Sequence, residues 1–385
     1  DDIHGEWSDP ITIDQDGIDP SLYFEDGRAF FISNGTDCEG KGGVVQCEIN
    51  IETGEKLTES RCIWQGSGGR YLESPHMYKI GKYYYLMAAE GGTEYGHMIT
   101  YARSESVWGK FEGYPHNPVL TNRNKAPFII QGIGHGDLIQ DKNGEWHIIC
   151  LGFRQIHMWM TYHHLGRECF LIPVTFHEDG WFTAGNGTCE ESYELSGDFA
   201  QLPLKTYTLE NIGHDICHLR HPHTENYSIT KDKITLKGTD VTLDDVASPT
   251  FAGVRQRDFD MDCSVSVSVS DGEGGLTVYS CETEHYDLAL RKNEGGYEAI
   301  LRLNIGGIRH VEKAVQIPSG SAKLIIRSDS QVYKFFVQSQ GEEIPMGFAM
   351  SKYLSSEVCG GFTGTVIGMY AVKGSAEFTD LRISY

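Results

Sequence analysis

The chain has 385 residues, more than one ordinary hydrophobic core serves, so two domains are expected. Its formal net charge is −22, from 32 Lys+Arg against 54 Asp+Glu; such a field repels phosphate backbones and anionic lipid, which argues against nucleic acid or a membrane surface as partner. No apolar run reaches the roughly 18 residues of a membrane span, and 45 glycines with 11% aromatic residues suit an all-β chain rich in turns.

The first residues, "DDIHGEW", carry neither a Met nor a signal peptide, so they read as the middle of a protein and leave the compartment open; a cytoplasmic location is the expectation, with secretion as the alternative. Sequons at Asn34, Asn186 and Asn226 matter only in the secreted case. Ten cysteines are scattered singly and none forms a CxxC pair, so a zinc site is not expected and buried free thiols are.

Three segments then share one plan: Asp19 onward, "DPSLYFEDGRAFFIS"; Glu73 onward, "ESPHMYKIGKYYYLMAA"; and His135 onward, "HGDLIQDKNGEWHIICLG". Each starts with a titratable residue, continues as a short strand, turns through "EDGR", "KIGK" or "KNGE", and returns as a strand rich in aromatic and β-branched residues. Glycine at such a turn supplies the positive φ that tight hairpins need. With "GGVVQCEIN" and "GHMITYARS" fitting between them, the period is that of four-stranded propeller blades with loop insertions. Residues at one place in successive blades converge on one mouth of a central channel, so Asp19, Glu73 and His135 are candidate site residues. Alone, each is an ordinary strand-end residue; three titratable groups in register are harder to dismiss. The glycine-rich loops "GSGGRY" and "QGIGHG" would let backbone and ligand approach closely. A further hairpin, Gly166 to Ala184, reads as part of a fourth blade, with Arg167 at its head placed to fork onto carboxylates or sugar hydroxyls, or simply to make a rim salt bridge.

Around residues 190–204 the periodicity lapses, which marks a linker between a propeller domain over 1–195 and a second domain over 205–385. Beyond it "CSVSVSVS", "GGLTVYSCE", "YEAILRLNI", "VYKFFVQS" and "GTVIGMYAV" follow at short intervals, as in a β-sandwich. No stretch of helical period appears in either half.

"GIDPSLYFEDGRAFF", "ESPHMYKIGKYYYLMAAEGGTEYGHMITYARS", "GIGHGDLIQ", "HHLGRE" and, in the tail, "SPTFAGVRQRDFD" and "GGFTGTVIGMYA" closely resemble family 43 glycoside hydrolases, in particular the two-domain β-xylosidase and α-L-arabinofuranosidase branch. The resemblance implies a five-bladed propeller followed by a concanavalin-like β-sandwich, and an inverting hydrolysis of xylo-oligosaccharides or arabinoxylan fragments by carboxylates. It implies that Glu73 is the general acid, although Ser74 stands where the family often has Gly or Ala. Asp19 would orient that acid and tune its pKa. His135 and Arg167 would contact the sugar, His135 lying beside a calcium ion in some members, and Phe362 would close the pocket. The family's general base is an aspartate in the first blade, in a stretch like "YPDPS", and nothing like it precedes Asp19. The resemblance therefore places the first blade and most of the second outside this chain, supplied by the same gene or by a second polypeptide. A sugar-binding propeller that has lost its base is the alternative reading.

Overall fold

The computed structural model describes residues 3–156, 160–194 and 204–385. The chain divides into two compact units, one built from residues 1–153 and 168–199, the other from 154–167 and 200–385. Most of the linker expected over 190–204 lies outside the described residues.

The first unit holds three four-stranded antiparallel sheets, each in plain sequential order. The first is β1 (Ile18–Glu25), β2 (Arg28–Thr36), β3 (Gly42–Ile49) and β4 (Arg61–Trp64); the second is β5 (Glu73–Ile80), β6 (Tyr83–Glu90), β7 (Met98–Ser104) and β8 (Glu112–Gly113). The third is β9 (Ile130–Gln140), β10 (Trp146–Arg154), β11 (Glu168–Phe176) and β12 (Phe182–Ala184). These are propeller blades, and the hairpin turns fall where glycine was read: Gly27, Gly81 and Gly144 have φ of +74°, +58° and +85°. The 166–184 stretch does not begin a fourth blade. Cys169 and Leu171 pair with Leu151 and Ile149 of β10, so β11 and β12 are the outer strands of the third. A local hairpin pattern is silent about which sheet it joins; the pairing of β10 with β11, across the 154–167 segment, decides it.

Blades bury their faces against one another. Phe30, Ile32 and Val44 of the first pack with Met77, Leu86 and Ala88 of the second; Tyr85, Ile99 and Tyr101 of the second pack with Ile133, Ile148, Ile172 and Phe182. Polar groups tie the innermost strands. Ser21 Oγ donates to the Pro75 carbonyl at 2.6 Å, and the Tyr78 hydroxyl donates to Asp137 while accepting from the Leu138 amide at 2.9 Å.

The second unit is a β-sandwich. One sheet runs, in spatial order, Thr250–Arg255, Val366–Val372, Glu273–Cys281, Glu284–Asn293, Gly296–Ile305 and Ile308–Ile317; the other has eight strands centred on Met261–Val269 and Gly374–Ser384. "CSVSVSVS" behaves as its alternation requires, with Cys263, Val265 and Val267 in the core between the sheets. Among the described residues, departures from an all-strand reading are local: short 3-10 turns and a four-residue helix, Ser356–Cys359. All ten cysteines are free; Cys47, Cys150, Cys189 and Cys263 are buried, but Cys38 and Cys169 are exposed.

Candidate active site

The innermost strands carry the site through a shared backbone irregularity. β1 has a bulge between Ile18 and Ser21, and β5 has one between Glu73 and His76. Asp19, Ser74 and His135 all have positive φ, at 51°, 56° and 46°. The equivalent residues of the three blades are therefore Asp19, Ser74 and His135, and Glu73 precedes the bulge by one position. The register read from the sequence is corrected by that one residue, because a bulge inserts an unpaired residue that strand periodicity does not reveal. Ser74, fully buried, sits in a conformation that costs a β-carbon-bearing residue strain, which is the physical reason Gly is favoured at such a place.

Asp19, Glu73 and His135 nonetheless converge. Burial pushes the His135 imidazole below its usual range; the Asp19 and Glu73 carboxylates pull it back up, and His76 and His97 push it further down. Two carboxylates and two further imidazoles thus act on one ring in a partly buried place. Glu73 is largely buried, its side chain 17% exposed.

His97 was not singled out in the sequence. It lies between β6 and β7, fully buried, with Nδ1 3.0 Å from the Gly132 carbonyl and Nε2 3.7 Å from Glu73 Oε1. The carbonyl can only accept, so Nδ1 carries a proton and donates to it, and Nε2 faces the carboxylate. Gly134 makes room for it, since a β-carbon there would lie 2.3 Å from the ring. The glycine-rich loops serve internal packing in the same way. Gly66 and Gly69 lie against the buried Glu90 carboxylate, which accepts from the Ser67 amide at 2.6 Å, the Gly69 amide at 2.5 Å and Thr100 Oγ1 at 2.9 Å.

Arg167 and Phe362 both belong to the second unit. The Arg167 guanidinium lies 3.8 Å from the Phe362 ring centroid, and its amide donates to the Phe362 carbonyl at 3.1 Å. The segment before it is laced to the sandwich: the His163 amide and Nδ1 meet Glu357 at 2.9 and 2.7 Å, the Thr365 amide donates to the His164 carbonyl at 2.8 Å, and Arg255 Nη2 donates to the Leu165 and Arg167 carbonyls at 2.8 Å. Phe362 is 49% exposed on a loop, not a core residue of the sandwich.

A calcium ion needs six to eight oxygen ligands, and an imidazole is a poor substitute. Among the described residues, the three metal-capable side chains that lie together are not at His135. At His135 most ligands to a calcium ion would be water oxygens, which calcium accepts.

Carboxylates and imidazoles brought together on propeller strands, in a chain that also carries a β-sandwich, suit a glycoside hydrolase. The chain belongs to the glycosyl hydrolases family 43: that family's profile matches residues 1–182, and the beta xylosidase C-terminal concanavalin A-like domain matches 205–382. It is 37% identical over 380 residues to the non-reducing end alpha-L-arabinofuranosidase BoGH43B of Bacteroides ovatus, an alignment spanning 95% of this chain and 71% of that protein. To the xylosidase/arabinosidase 43B of Humicola insolens it is 29% identical, over all of this chain and 77% of the other. The solved xylan beta-1,4-xylosidase of Bacillus halodurans superposes with a TM-score of 0.89 at 27% identity, covering 100% of this chain and 79% of that one.

Proposed function

We propose that this glycoside hydrolase releases a terminal pentose, α-L-arabinofuranose or β-xylose, from arabinoxylan or xylo-oligosaccharide fragments with inversion. The observation that supports this most is the convergence of Asp19 and Glu73 on His135 in a chain of this family. Inverting hydrolysis takes one protonated carboxyl to the leaving oxygen and one carboxylate to a water on the opposite face of the ring. Glu73 is proposed as the acid. Its largely buried place and the nearby Asp19 charge both favour the protonated form that the role needs, and His97 Nε2 stands 3.7 Å from its Oε1. Asp19 is the orienting and pKa-raising carboxylate. No residue is assigned as the water-activating base. His135, neutral in its buried place, is proposed as a sugar contact, and Arg167 over Phe362 offers a flat, cation-backed surface of the kind that packs on a sugar ring. The substrate is uncharged, so the −22 net charge neither steers nor repels it.

The test is a pair of aryl α-L-arabinofuranoside and aryl β-xyloside series with graded leaving groups. The arabinofuranoside comes first, because the identity to the named arabinofuranosidase is 37% against 29% for a relative named for both activities. Glu73→Gln should lose about 10²–10⁴-fold on poor leaving groups and little on good ones, because only the former need protonation. Equal loss across the series sinks the general-acid assignment. A proton NMR time course reports the anomer released first, and a retained anomer overturns inversion.

A further inference from the structure

The turn between β9 and β10, "DKNGE" at 141–145, holds a second cluster of chemistry-bearing groups. Asp141, Glu145 and His147 each bring a ligand atom to within 4.8 Å of the other two. Asp141 Oδ1 is committed to the turn, accepting from the amides of Asn143 at 2.8 Å and Glu145 at 2.9 Å. Its Oδ2 faces His147 Nε2 at 3.8 Å, with Asn143 Nδ2 at 3.4 Å. A distance of 3.8 Å is too long for a hydrogen bond.

His147 is the telling residue. It is 2% exposed, and neither ring nitrogen has a hydrogen-bond partner. A buried polar group without a partner is costly and uncommon. Beside this ring opens a cavity of about 490 Å³ lined by Gly144, Glu145, His147, Pro173, Thr175 and Glu194, wide enough for a hydrated ion to enter.

We propose that Asp141, Glu145 and His147 form a divalent transition-metal site of the zinc class. Zinc takes imidazole nitrogen at ~2.0–2.1 Å and carboxylate oxygen at ~2.0–2.2 Å, so an ion between Oδ2 and Nε2 subtends a wide angle across the existing 3.8 Å gap. Glu145, exposed at the end of the turn, closes by side-chain rotation, and water completes the shell. The absence of any CxxC pair excludes thiolate sites only; a nitrogen and two oxygens are an ordinary alternative set. Imidazole argues for zinc and its neighbours over calcium or magnesium. Six residues of extended strand separate Asp141 from His135, roughly 20 Å. The ion therefore clamps the turn of the third blade and takes no part in glycoside hydrolysis, and the proposal does not depend on Glu73.

The full chain is stripped with a chelator and titrated with zinc chloride against a chromophoric competitor. Wild type should bind one ion that Asp141→Asn and Glu145→Gln each weaken by at least about 10-fold. The carboxamide introduced by Asp141→Asn keeps an oxygen for the two turn amides, and Glu145 is exposed, so both variants should fold. Cobalt substitution should add a visible absorption band in wild type alone. If wild type and both variants titrate alike, or if none binds and His147 merely pairs with Asp141 as an imidazolium, the site does not exist.

Discussion

At the scale of single residues, two buried histidines of the sandwich unit pull its stability in opposite directions. Burial opposes charge on His285, but the Asp287 and Asp244 carboxylates prevail and raise its pKa to about 9. Nδ1 lies 2.9 Å from Asp287 and Nε2 3.2 Å from Asp244, and Arg302 bridges Asp287 to Glu273. A histidine whose folded pKa exceeds its unfolded value of about 6.5 stabilises fully below that value. The contribution fades as pH rises through 9. His164 is the converse: burial lowers it to about 3, so stability falls as pH drops from about 6.5 toward 3. Denaturant unfolding of the sandwich should therefore weaken on both sides of neutrality, by on the order of 3 kcal/mol between pH 6.5 and 9.5. His285→Leu removes the imidazolium between Asp287 and Asp244, which keep Arg302 and Arg309 as partners, and should lower stability at pH 7 while flattening the alkaline arm. A wild-type curve flat from about pH 7 to 9.5 contradicts the assignment.

At the scale of elements, the bends in β1, β5 and β9 matter more than the regular strand around them. Each is bent by a residue in left-handed conformation, and the bend at β9 lies beside the glycine that admits His97. Gly134→Ala tests this. Its methyl would lie 2.3 Å from the His97 ring, and overpacking of this kind costs about 1–3 kcal/mol. The ring is tied to the Gly132 carbonyl through Nδ1, so making room for the methyl displaces it relative to Glu73. The expected outcome is a lowered kcat, because the ring that faces the acid is displaced. A loss confined to thermal stability would make His97 a packing residue only. The same logic explains why sequence reading passed over His97. It arrives on a loop, outside the repeat, and a lone histidine before a strand carries no periodic signal.

At the scale of the whole molecule, −22 formal charges on 385 residues repel one another. The exposed ion pairs, such as Arg28–Glu48 and Lys82–Glu105 at 2.6 and 2.9 Å, contribute little each. Raising salt from about 0.01 M to 0.15 M cuts the Debye length from about 30 to about 8 Å. It screens the net repulsion over the surface while hardly touching the buried Asp244–His285–Asp287–Arg302 network. The melting temperature should therefore rise across that range. A fall would show that exposed attractive pairs outweigh the net charge.

The sequence by itself determined what is local. Period-two alternation and glycine turns specify the hairpins, "CSVSVSVS" specifies a strand with one buried face, and the recurring head residues mark Asp19, Glu73 and His135. Tertiary structure decided what depends on distant partners. The bulges shift the equivalence from Glu73 to Ser74, and β10 claims the 168–184 hairpin for the third blade. Residues 154–167, with Arg167, pack in the sandwich unit through bonds to Arg255, Glu357 and Thr365. His97 and His147 become chemically distinctive only once burial removes their water. Local preference sets φ, ψ and alternation; sheet membership, burial and the company of a side chain come from contacts that no short window of sequence contains.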